Sequence, residues 1–352
     1  MRLSVVIPMY NVEECIRRTL ECLIPQLNQE TEIVLVDDGS SDHTVHIAEN
    51  IIQENSKCNI RLICQGINKG SSASRNRGIE LSRGEYITFV DSDDTLRNDY
   101  IRTLLHMIEQ NPACDIYVTG VETYNEDGEL YEIQRNDNRT FDNRIDIIYA
   151  IIHNHIKLAF PTWCKVIRKA FLCENEIKFD EDAICMDDAI FYSKCYLKID
   201  KICICDYVGY QWRRRKGSIS SKYYINTPEI VGRYRNNCYR MFELLPDTLR
   251  DDRANQWMMD KSRFCFEYAI DHLEKSNLSI RDKKTQLLNI VEHNLSRDVI
   301  DSYLGYKRVL LKLYKENKWY GYYVILKFFD LCNTLIMRIH GAIERRINAL
   351  LC

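Results

Sequence analysis

The chain has 352 residues, of which 45% are hydrophobic and 28% charged, with a formal net charge of −3 at pH 7. This length suffices for two domains with a sizeable core, and the weak net charge gives no electrostatic basis for binding nucleic acid. The 15 cysteines are odd in number and scattered, which is typical of reduced thiols in a cytosolic protein. No signal peptide is visible, because the first apolar run stops at Pro8.

Strands and helices are predicted to alternate along the first 120 residues. Apolar and β-branched runs predict strands at 3–8, 32–36, 60–64, 86–90 and 115–119. Apolar residues at helical spacing predict helices at 12–27, 45–52, 71–82 and 98–110. The alternation predicts a doubly wound α/β sheet, mostly parallel, with helices on both faces. In such sheets ligands bind beyond the carboxyl ends of the strands, where this chain places its polar clusters.

An acidic segment follows the predicted strand 86–90 directly and contains Asp91, Asp93 and Asp94. Burying adjacent carboxylates is costly unless a cation lies between them. Oxygen ligands favour a hard ion, so the segment predicts a site for Mg²⁺ or Mn²⁺. A solvated acidic turn before the helix at 98–110 is the alternative.

Four segments in this order resemble the family-2 inverting glycosyltransferases of the GT-A fold. They read VVIPMYN at 5–11, VDDGSSD at 36–42, NKGSSASRNRG at 68–78 and VDSDD at 90–94. Each motif is weak alone, whereas their order and spacing together are specific. The resemblance continues less densely to about residue 221. It implies a GT-A domain that transfers a sugar from a nucleotide-diphosphate donor, expected to be UDP-linked.

The resemblance also implies where the nucleobase binds. Asp38 would accept the N3–H of uracil, with Pro8 and Tyr10 shaping the slot. For Asp37 and Asp38, simple turn formation is the alternative. Residues 70–73 open a predicted helix whose first backbone N–H groups are free to bind an anion.

Charged residues are given separate roles by the same resemblance. Arg75 matches an arginine that reaches the nucleotide, with a solvated surface arginine as the alternative. Asp91 is implied near the ribose, and Asp93 as the ligand of a Mn²⁺ or Mg²⁺ ion that stabilises the departing diphosphate. Asp94 is implied to support these ligands or to cap the next helix. The donor-binding candidates are Pro8, Tyr10, Asn11, Asp38, Asn68, Gly70, Arg75, Asp91, Ser92, Arg213 and Ser218.

The second half of the matched region is expected to supply the acceptor side. Asp187, Asp188 and Phe191 resemble the family pattern Glu-Asp-x-x-Phe, which implies Asp188 as the catalytic base. A neighbouring carboxylate and partial burial would raise the pKa of such a group. The alternative is an acidic pair that merely begins a helix. Candidates for the acceptor side or for supporting the site are Asp94, Trp163, Lys165, Asp187 and Trp212.

A basic loop follows at 210–219 and resembles the family pattern Tyr-x-Tyr-Arg-x-x-x-x-Ser-Ile, with Trp212 in place of the second tyrosine. Four consecutive cations in this loop would bind the phosphates, and the loop would close over the donor. Arg213 and Ser218 are the ligand candidates in this loop.

From about residue 225 helical spacing replaces the strands. We expect a GT-A domain at 1–222, with a donor half at 1–120 and an acceptor half at 121–222, and a helical region at 223–352. Residues 301–352 contain nine Lys and Arg against four Asp and Glu, with apolar faces at helical spacing. They predict contact with an anionic membrane surface, or else packing on the catalytic domain or a homo-oligomer interface.

These observations predict a cytoplasmic transferase, peripheral on the membrane, that adds a sugar to a hydroxyl of a growing, lipid-linked glycan. A sugar-nucleotide nucleotidyltransferase is a rival, but it would carry a glycine-rich basic loop after the first strand, where this chain has Pro8 to Asn11. A non-catalytic nucleotide-sugar-binding or scaffold protein is the other rival. It predicts a missing base or a broken Asp-x-Asp, and both are present in this chain.

Overall fold

The computed structural model describes residues 1–112, 114–183, 186–214 and 228–275. The strands of this part run over Leu3–Met9 (β1), Thr31–Asp37 (β2), Ile60–Cys64 (β3), Tyr86–Phe89 (β4), Thr95–Leu96 (β5), Ile116–Tyr124 (β6), Leu130–Gln134 (β7), Arg139–Phe141 (β8), Lys165–Arg168 (β9) and Ile202–Arg213 (β10). Its α-helices run over Ile16–Leu23 (α1), Thr44–Glu54 (α2), Ser71–Leu81 (α3), Tyr100–Gln110 (α4), Arg144–Ile152 (α5), Lys169–Glu174 (α6), Asp187–Tyr196 (α7), Pro228–Leu244 (α8) and Asp252–Lys275 (α9).

One mixed sheet joins the strands in the order β3-β2-β1-β4-β9-β6-β10-β5, with β7 beside β6 and β8 beside β10. Strands β3, β2, β1 and β4 are parallel. Strand β9 lies antiparallel between β4 and β6, and β10 runs parallel to β6. The parallel half directs the carboxyl ends of β1, β2 and β4 to one edge, so their polar loops meet there. This architecture confirms the predicted α/β fold class.

Apolar side chains cover both faces of the sheet. On β1, Val5 and Ile7 pack in one layer and Val6 packs in the other, and all three are fully buried. Strands buried on both faces need helices on both sides, which the alternating chain supplies. In α3, a Cβ built on Gly78 would lie 2.2 Å from Cγ1 of Val6. The absence of a side chain at Gly78 therefore lets α3 pack directly on β1.

Several element ends differ from the prediction, and two of them have a clear cause. Helix α1 begins at Ile16 rather than at residue 12, because Val12 donates its backbone N–H to Thr44 Oγ1 at 2.8 Å and starts a turn. Strand β1 continues through Pro8 to Met9, although proline cannot donate a ladder hydrogen bond. Its pairing with β4 ends at Val6, so β4 requires no donor from Pro8.

Helices α8 and α9 agree with the helical character predicted after residue 223. Helix α8 packs against α5 and α7, and α9 packs against α5 and α8. The predicted domain boundary at residue 222 and the basic segment 301–352 lie outside the described residues. Among the helices that the structure describes, none combines the length and the apolar content that a membrane crossing requires.

Candidate active site

The two aspartates after β2 have different partners. Asp37 accepts a hydrogen bond from the backbone N–H of Ser40 at 3.2 Å, so its carboxylate forms the turn. Asp38 is buried and accepts from the backbone N–H groups of Lys69 and Gly70, each at 2.8 Å. The Asp38 carboxylate therefore holds the loop before α3 against the end of β2. Gln65 Nε2 also donates to Asp38 Oδ1 at 3.0 Å, so of the about four lone-pair sites of a carboxylate one remains open to a ligand.

The end of β1 forms the neighbouring wall. Tyr10 is 45% exposed, and Pro8 is partly buried within the strand. Asn11 adopts the left-handed conformation, with φ of 50°, and its Oδ1 accepts from the backbone N–H of Ser41 at 2.9 Å. Asn68 is exposed in the loop before α3. The predicted nucleobase candidates thus line one open edge of the sheet.

Arg75 joins two acidic segments that are far apart in the chain. Its Nη2 donates to Asp91 Oδ1 at 3.2 Å, and its Nη1 donates to Asp187 Oδ2 at 2.7 Å. The arginine is only 9% exposed, and its guanidinium lies 5.5 Å from the ring centroid of Phe179. Ser72, one turn earlier on α3, donates its hydroxyl to Asp187 at 3.3 Å. Helix α3 therefore brings the Asp-x-Asp segment and the Asp187–Asp188 pair into one site.

The pKa of Asp188 lies far above that of an ordinary aspartate. Burial raises the pKa of Asp188 to about 7, and the neighbouring charge of Asp187 adds to this. The backbone N–H of Ala189, at 2.7 Å from Asp188 Oδ1, lowers the pKa, as do the positive charges of Arg75 and Lys165. A carboxylate whose pKa lies near the working pH accepts protons most effectively during catalysis.

Lys165 is a buried cation beside the same carboxylate. Its side chain is 1% exposed, its Nζ donates to the carbonyl of Pro161, and Nζ lies 4.3 Å from the ring centroid of Tyr192. Burial lowers the pKa of Lys165 to about 7, while the negative charge of Asp188 raises it. Tyr192 is on α7 one turn after Asp188, so this contact joins Lys165 to the helix that carries Asp188.

Left-handed backbone precedes both of these groups. Cys164, directly before Lys165, has φ of 62°, and Met186, directly before Asp187, has φ of 61°. This conformation is uncommon for residues other than glycine and costs about 1–3 kcal/mol each, a strain that clusters at functional sites. Its occurrence at both places is consistent with a site whose geometry is held by the surrounding fold.

Asp94 serves a supporting role in the geometry. It is fully buried, and its carboxylate accepts from the hydroxyl of Tyr210 at 2.7 Å and from the backbone N–H of Arg213 at 2.8 Å. Burial raises the pKa of Asp94 well above its usual range, and the charge of Asp91 adds to this. Helix α4 begins at Tyr100, so Asp94 does not cap it, and the alternative of a helix cap is wrong. Instead Asp94 attaches β10 to the Asp-x-Asp segment.

The side chain of Arg213 lies away from the Arg75 cluster. Its Nε donates to Thr95 Oγ1 at 3.0 Å, and its guanidinium lies 4.7 Å from the ring centroid of Tyr124. Nε is the nitrogen that these contacts engage, and phosphate binding by Arg213 stays a prediction. Ser218, the other ligand candidate of the basic loop, lies outside the described residues.

Three aromatic rings stack beside the acidic cluster. Trp163 stacks on Tyr210, with centroids 5.6 Å apart, and on Trp212, with centroids 6.1 Å apart. The guanidinium of Arg214 lies 5.3 Å from the Trp212 ring. Both tryptophans are partly exposed. The acceptor-side candidates Trp163 and Trp212 therefore present stacked aromatic surface next to the acidic cluster.

The predicted metal ligand Asp93 is held by its backbone. The carbonyl of Asp93 accepts from Arg18 Nη2, and the carbonyl of the buried Ser92 accepts from Thr19 Oγ1, each at 2.9 Å. Within the described part of the chain, no three His, Cys, Asp or Glu side chains are grouped to hold a metal ion by themselves. Asp91 and Asp93 still fit a hard divalent ion that takes its other ligands from water and phosphate.

The charge balance of the site supports this fit. Two buried cations, Arg75 and Lys165, interact with a larger set of carboxylates. The carboxylates whose charges act on one another or on these cations are Asp91, Asp93, Asp94, Asp187 and Asp188. A diphosphate carries negative charge of its own, and a divalent cation held by Asp91 and Asp93 would offset it.

Sequence reasoning missed two members of the site. Tyr210 is fully buried, and its hydroxyl lies 3.1 Å from the backbone nitrogen of Asp91 as well as against Asp94. Its place in the Tyr-x-Trp-Arg element is the signal that could have identified it. Ser72 gave no comparable signal, because a serine near a helix start is common.

Comparison with known proteins supports the motif assignment. The model of glycosyl transferase family 2 matches residues 4–172. Glycosyltransferase GlyG of Streptococcus pneumoniae is 30% identical over 226 residues, which are 62% of this chain and 72% of that protein. Glycosyltransferase GlyA of the same organism is 33% identical over 226 residues, 62% of this chain but 31% of that protein. This chain therefore spans about a third of the length of GlyA.

Solved structures support the fold. Staphylococcus aureus TarS, a poly(ribitol-phosphate) β-N-acetylglucosaminyltransferase, is 28% identical over 237 residues, which are 65% of this chain and 39% of TarS. Crystal structures of TarS residues 1–349 with UDP and with UDP-GlcNAc match 92% of this chain and 90% of theirs, with TM-scores of 0.66 and 0.62 and identities of 21% and 22%. The sheet order, the four motifs and these matches together show that the chain belongs to glycosyl transferase family 2 and has the GT-A fold.

Proposed function

We propose that the protein is a metal-dependent, inverting glycosyltransferase that moves a sugar from a UDP-linked donor to a hydroxyl of a growing glycan. The observation that carries this proposal is the Arg75 bridge. One side chain, that of Arg75, hydrogen-bonds both to Asp91 on the donor side and to Asp187, the neighbour of Asp188. UDP as the nucleotide is supported by the TarS crystal structures, which contain UDP and UDP-GlcNAc.

Asp188 acts as the base in this proposal. The acceptor oxygen loses its proton to Asp188 and forms a bond to the anomeric carbon, while the bond from that carbon to the UDP oxygen breaks. Attack from the face opposite UDP inverts the anomeric configuration. With a pKa of about 7, Asp188 is largely ionised under mildly alkaline conditions, as this step requires.

The donor side uses residues from three loops. Asp38 and Tyr10 lie where the nucleobase is expected, and the buried Arg75 Nε has no hydrogen-bond acceptor within the described part of the chain, which leaves one donor for a ligand oxygen. Asp93, together with Asp91, would hold Mn²⁺ or Mg²⁺. When bound, this ion supplies positive charge that stabilises the departing diphosphate.

On the acceptor side, we infer a glycan under construction, lipid-linked and at the cytoplasmic face of the membrane. TarS is a poly(ribitol-phosphate) transferase, as its name states. This supports an extended, polyhydroxylated acceptor for the present protein as well. Trp163 and Trp212 offer aromatic surface beside the base, a type of surface on which sugar rings pack. The basic segment 301–352 would hold the enzyme at the anionic surface where such acceptors reside.

A UDP-release assay tests this function. The protein would be incubated with a panel of UDP-sugars, Mn²⁺ or Mg²⁺, and glycan or polyol-phosphate acceptors. Asp188→Asn should bind UDP as tightly as the wild type but transfer about 10²- to 10⁴-fold more slowly, as expected for the loss of a general base. Asp200→Asn, an exposed aspartate, is the matched control and should transfer normally. An active Asp188→Asn variant would remove Asp188 as the base.

A further inference from the structure

Helix α8 lies beyond the family match at residues 4–172 but contacts the segment that leads into the candidate base. Arg233 of α8 forms a two-pronged hydrogen bond with Asp182, with Nη1–Oδ1 and Nη2–Oδ2 distances of 2.8 Å each. Its Nη1 also donates to Asp180 Oδ2 at 3.0 Å. Asp180 and Asp182 lie in the connection between α6 and α7, a few residues before Asp188.

This connection, which the structure describes over residues 177–183, is held from three sides. From α3, the side-chain amide of Asn76 donates to the carbonyl of Phe179 at 3.0 Å and accepts from the N–H of Phe179 at 2.9 Å. From α7, Lys194 donates to Asp180 and pairs with it. Arg233 supplies the contact from α8. The arginine is therefore the link between the helical region and the connection.

Neighbouring residues of α8 contact the helix of the base itself. Asn237 donates to Ser193 Oγ on α7 at 2.9 Å. Tyr234 packs edge-on against Phe160, with centroids 5.6 Å apart, and Phe160 packs in turn against Tyr196 of α7, with centroids 5.9 Å apart. Residues 233, 234 and 237 share one face of a helix, because positions three and four apart are neighbours. One face of α8 thus touches both α7 and the connection before it.

We infer that Arg233 is a positioning residue of the active site: its fork to Asp182 and Asp180 holds the α6–α7 connection so that Asp188 faces the acceptor. This inference rests on the proposed role of Asp188 as base. Arginine suits the task because its planar guanidinium binds a carboxylate at two points, whereas the ammonium of lysine binds as a point charge. The side chain of Arg233 is 40% exposed, so salt weakens its electrostatic attraction to Asp182.

Arg233→Met and Arg233→Lys test the inference, with Arg240→Met, an exposed arginine of the same helix, as the matched control. Arg233→Met should lower kcat by roughly 10- to 100-fold with KM for the UDP-sugar within about twofold, since small misplacement of a base has effects of this size. Arg233→Lys should recover part of kcat, and high salt should lower kcat of the wild type more than that of Arg233→Met. Arg240→Met should behave as the wild type does.

Hydrogen exchange separates this inference from the proposed function, because it needs no turnover. Amides of residues 177–183 should exchange at least about tenfold faster in Arg233→Met than in the wild type or in Arg240→Met, while β1 and β2 exchange as before. Unchanged exchange and unchanged kcat would overturn the positioning role. If the wild type transfers no sugar, the proposed function fails, and the exchange rates of residues 177–183 alone decide whether Arg233 holds the connection.

Discussion

Transfer should slow about a hundredfold between pH 8 and pH 5 if Asp188 is the base. Its pKa of about 7 is far above the ordinary value of 3.8. A group with this pKa is about 90% ionised at pH 8 and about 1% ionised at pH 5. An aspartate with the ordinary pKa would still be more than about 90% ionised at pH 5, so its rate would barely change.

Two variants should move the acid limb of the pH profile in opposite directions. Asp187 raises the pKa of Asp188, so Asp187→Asn should shift the limb to lower pH. Lys165 lowers the pKa of Asp188, so Lys165→Met should shift the limb to higher pH. The opposite signs distinguish electrostatic control of Asp188 from general damage to the fold, which would lower the rate at every pH.

The same pKa shift predicts a cost in stability. Because the folded state holds the Asp188 proton more tightly than the unfolded chain does, stability conferred by protonation is lost as the pH rises from about 4 to about 7. A shift of about three pK units corresponds to a ceiling of about 4 kcal/mol. Asp188→Asn should therefore unfold at higher temperature than the wild type at pH 8, with a smaller difference at pH 4.

The assay is UDP release, measured as kcat/KM from pH 4.5 to 8.5 at constant ionic strength. Enzyme held at pH 5 and returned to pH 7.5 should recover its full rate, which excludes unfolding as the cause of the acid limb. A flat profile between pH 5 and pH 8 would refute the assignment of Asp188. Shifts of equal sign in Asp187→Asn and Lys165→Met would refute the electrostatic reasoning.

Two further substitutions test the site, and a third tests the packing of α3 on β1. Arg75→Met should destabilise the protein by about 2–4 kcal/mol in urea unfolding, since it leaves Asp91 and Asp187 without their buried cation. Asp93→Asn should abolish the gain in UDP affinity that Mn²⁺ provides in calorimetry, because it removes the proposed metal ligand. Gly78→Ala should cost about 1–3 kcal/mol, because its Cβ would be forced against the strand under α3.

For each of these three substitutions, one outcome would contradict the prediction. Arg77→Met is the matched control for Arg75→Met, because the side chain of Arg77 is 42% exposed and pairs with the exposed Glu80, so the substitution should cost less than about 1 kcal/mol. Equal costs for the two arginines would contradict the buried bridge. Asp93→Asn with an unchanged response to Mn²⁺ would remove Asp93 as a ligand. A Gly78→Ala variant with an unaltered urea midpoint would show that α3 is free to shift.

The hydrophobic pattern and the short motifs were enough to predict most strands and helices of residues 1–120. Alternating apolar periods predicted these strands and helices, and the motifs that resemble the family predicted which loops hold polar residues. Element ends were less accurate, as at Ile16, where a hydrogen bond to a distant threonine begins the turn before α1. Such long-range bonds leave no trace in the hydrophobic pattern.

The residues by themselves determined the family, the α/β class and the presence of an Asp-x-Asp and an Asp-Asp pair, because these depend on short segments and their order. Only the tertiary structure decided that Arg75 bridges Asp91 and Asp187, that Tyr210 supports Asp94, and that Arg233 reaches the α6–α7 connection. These contacts join residues 16 to 116 positions apart, and their geometry depends on how α3, β10 and α8 pack on the sheet and on α7. Packing is a property of the whole chain, and no single segment specifies it.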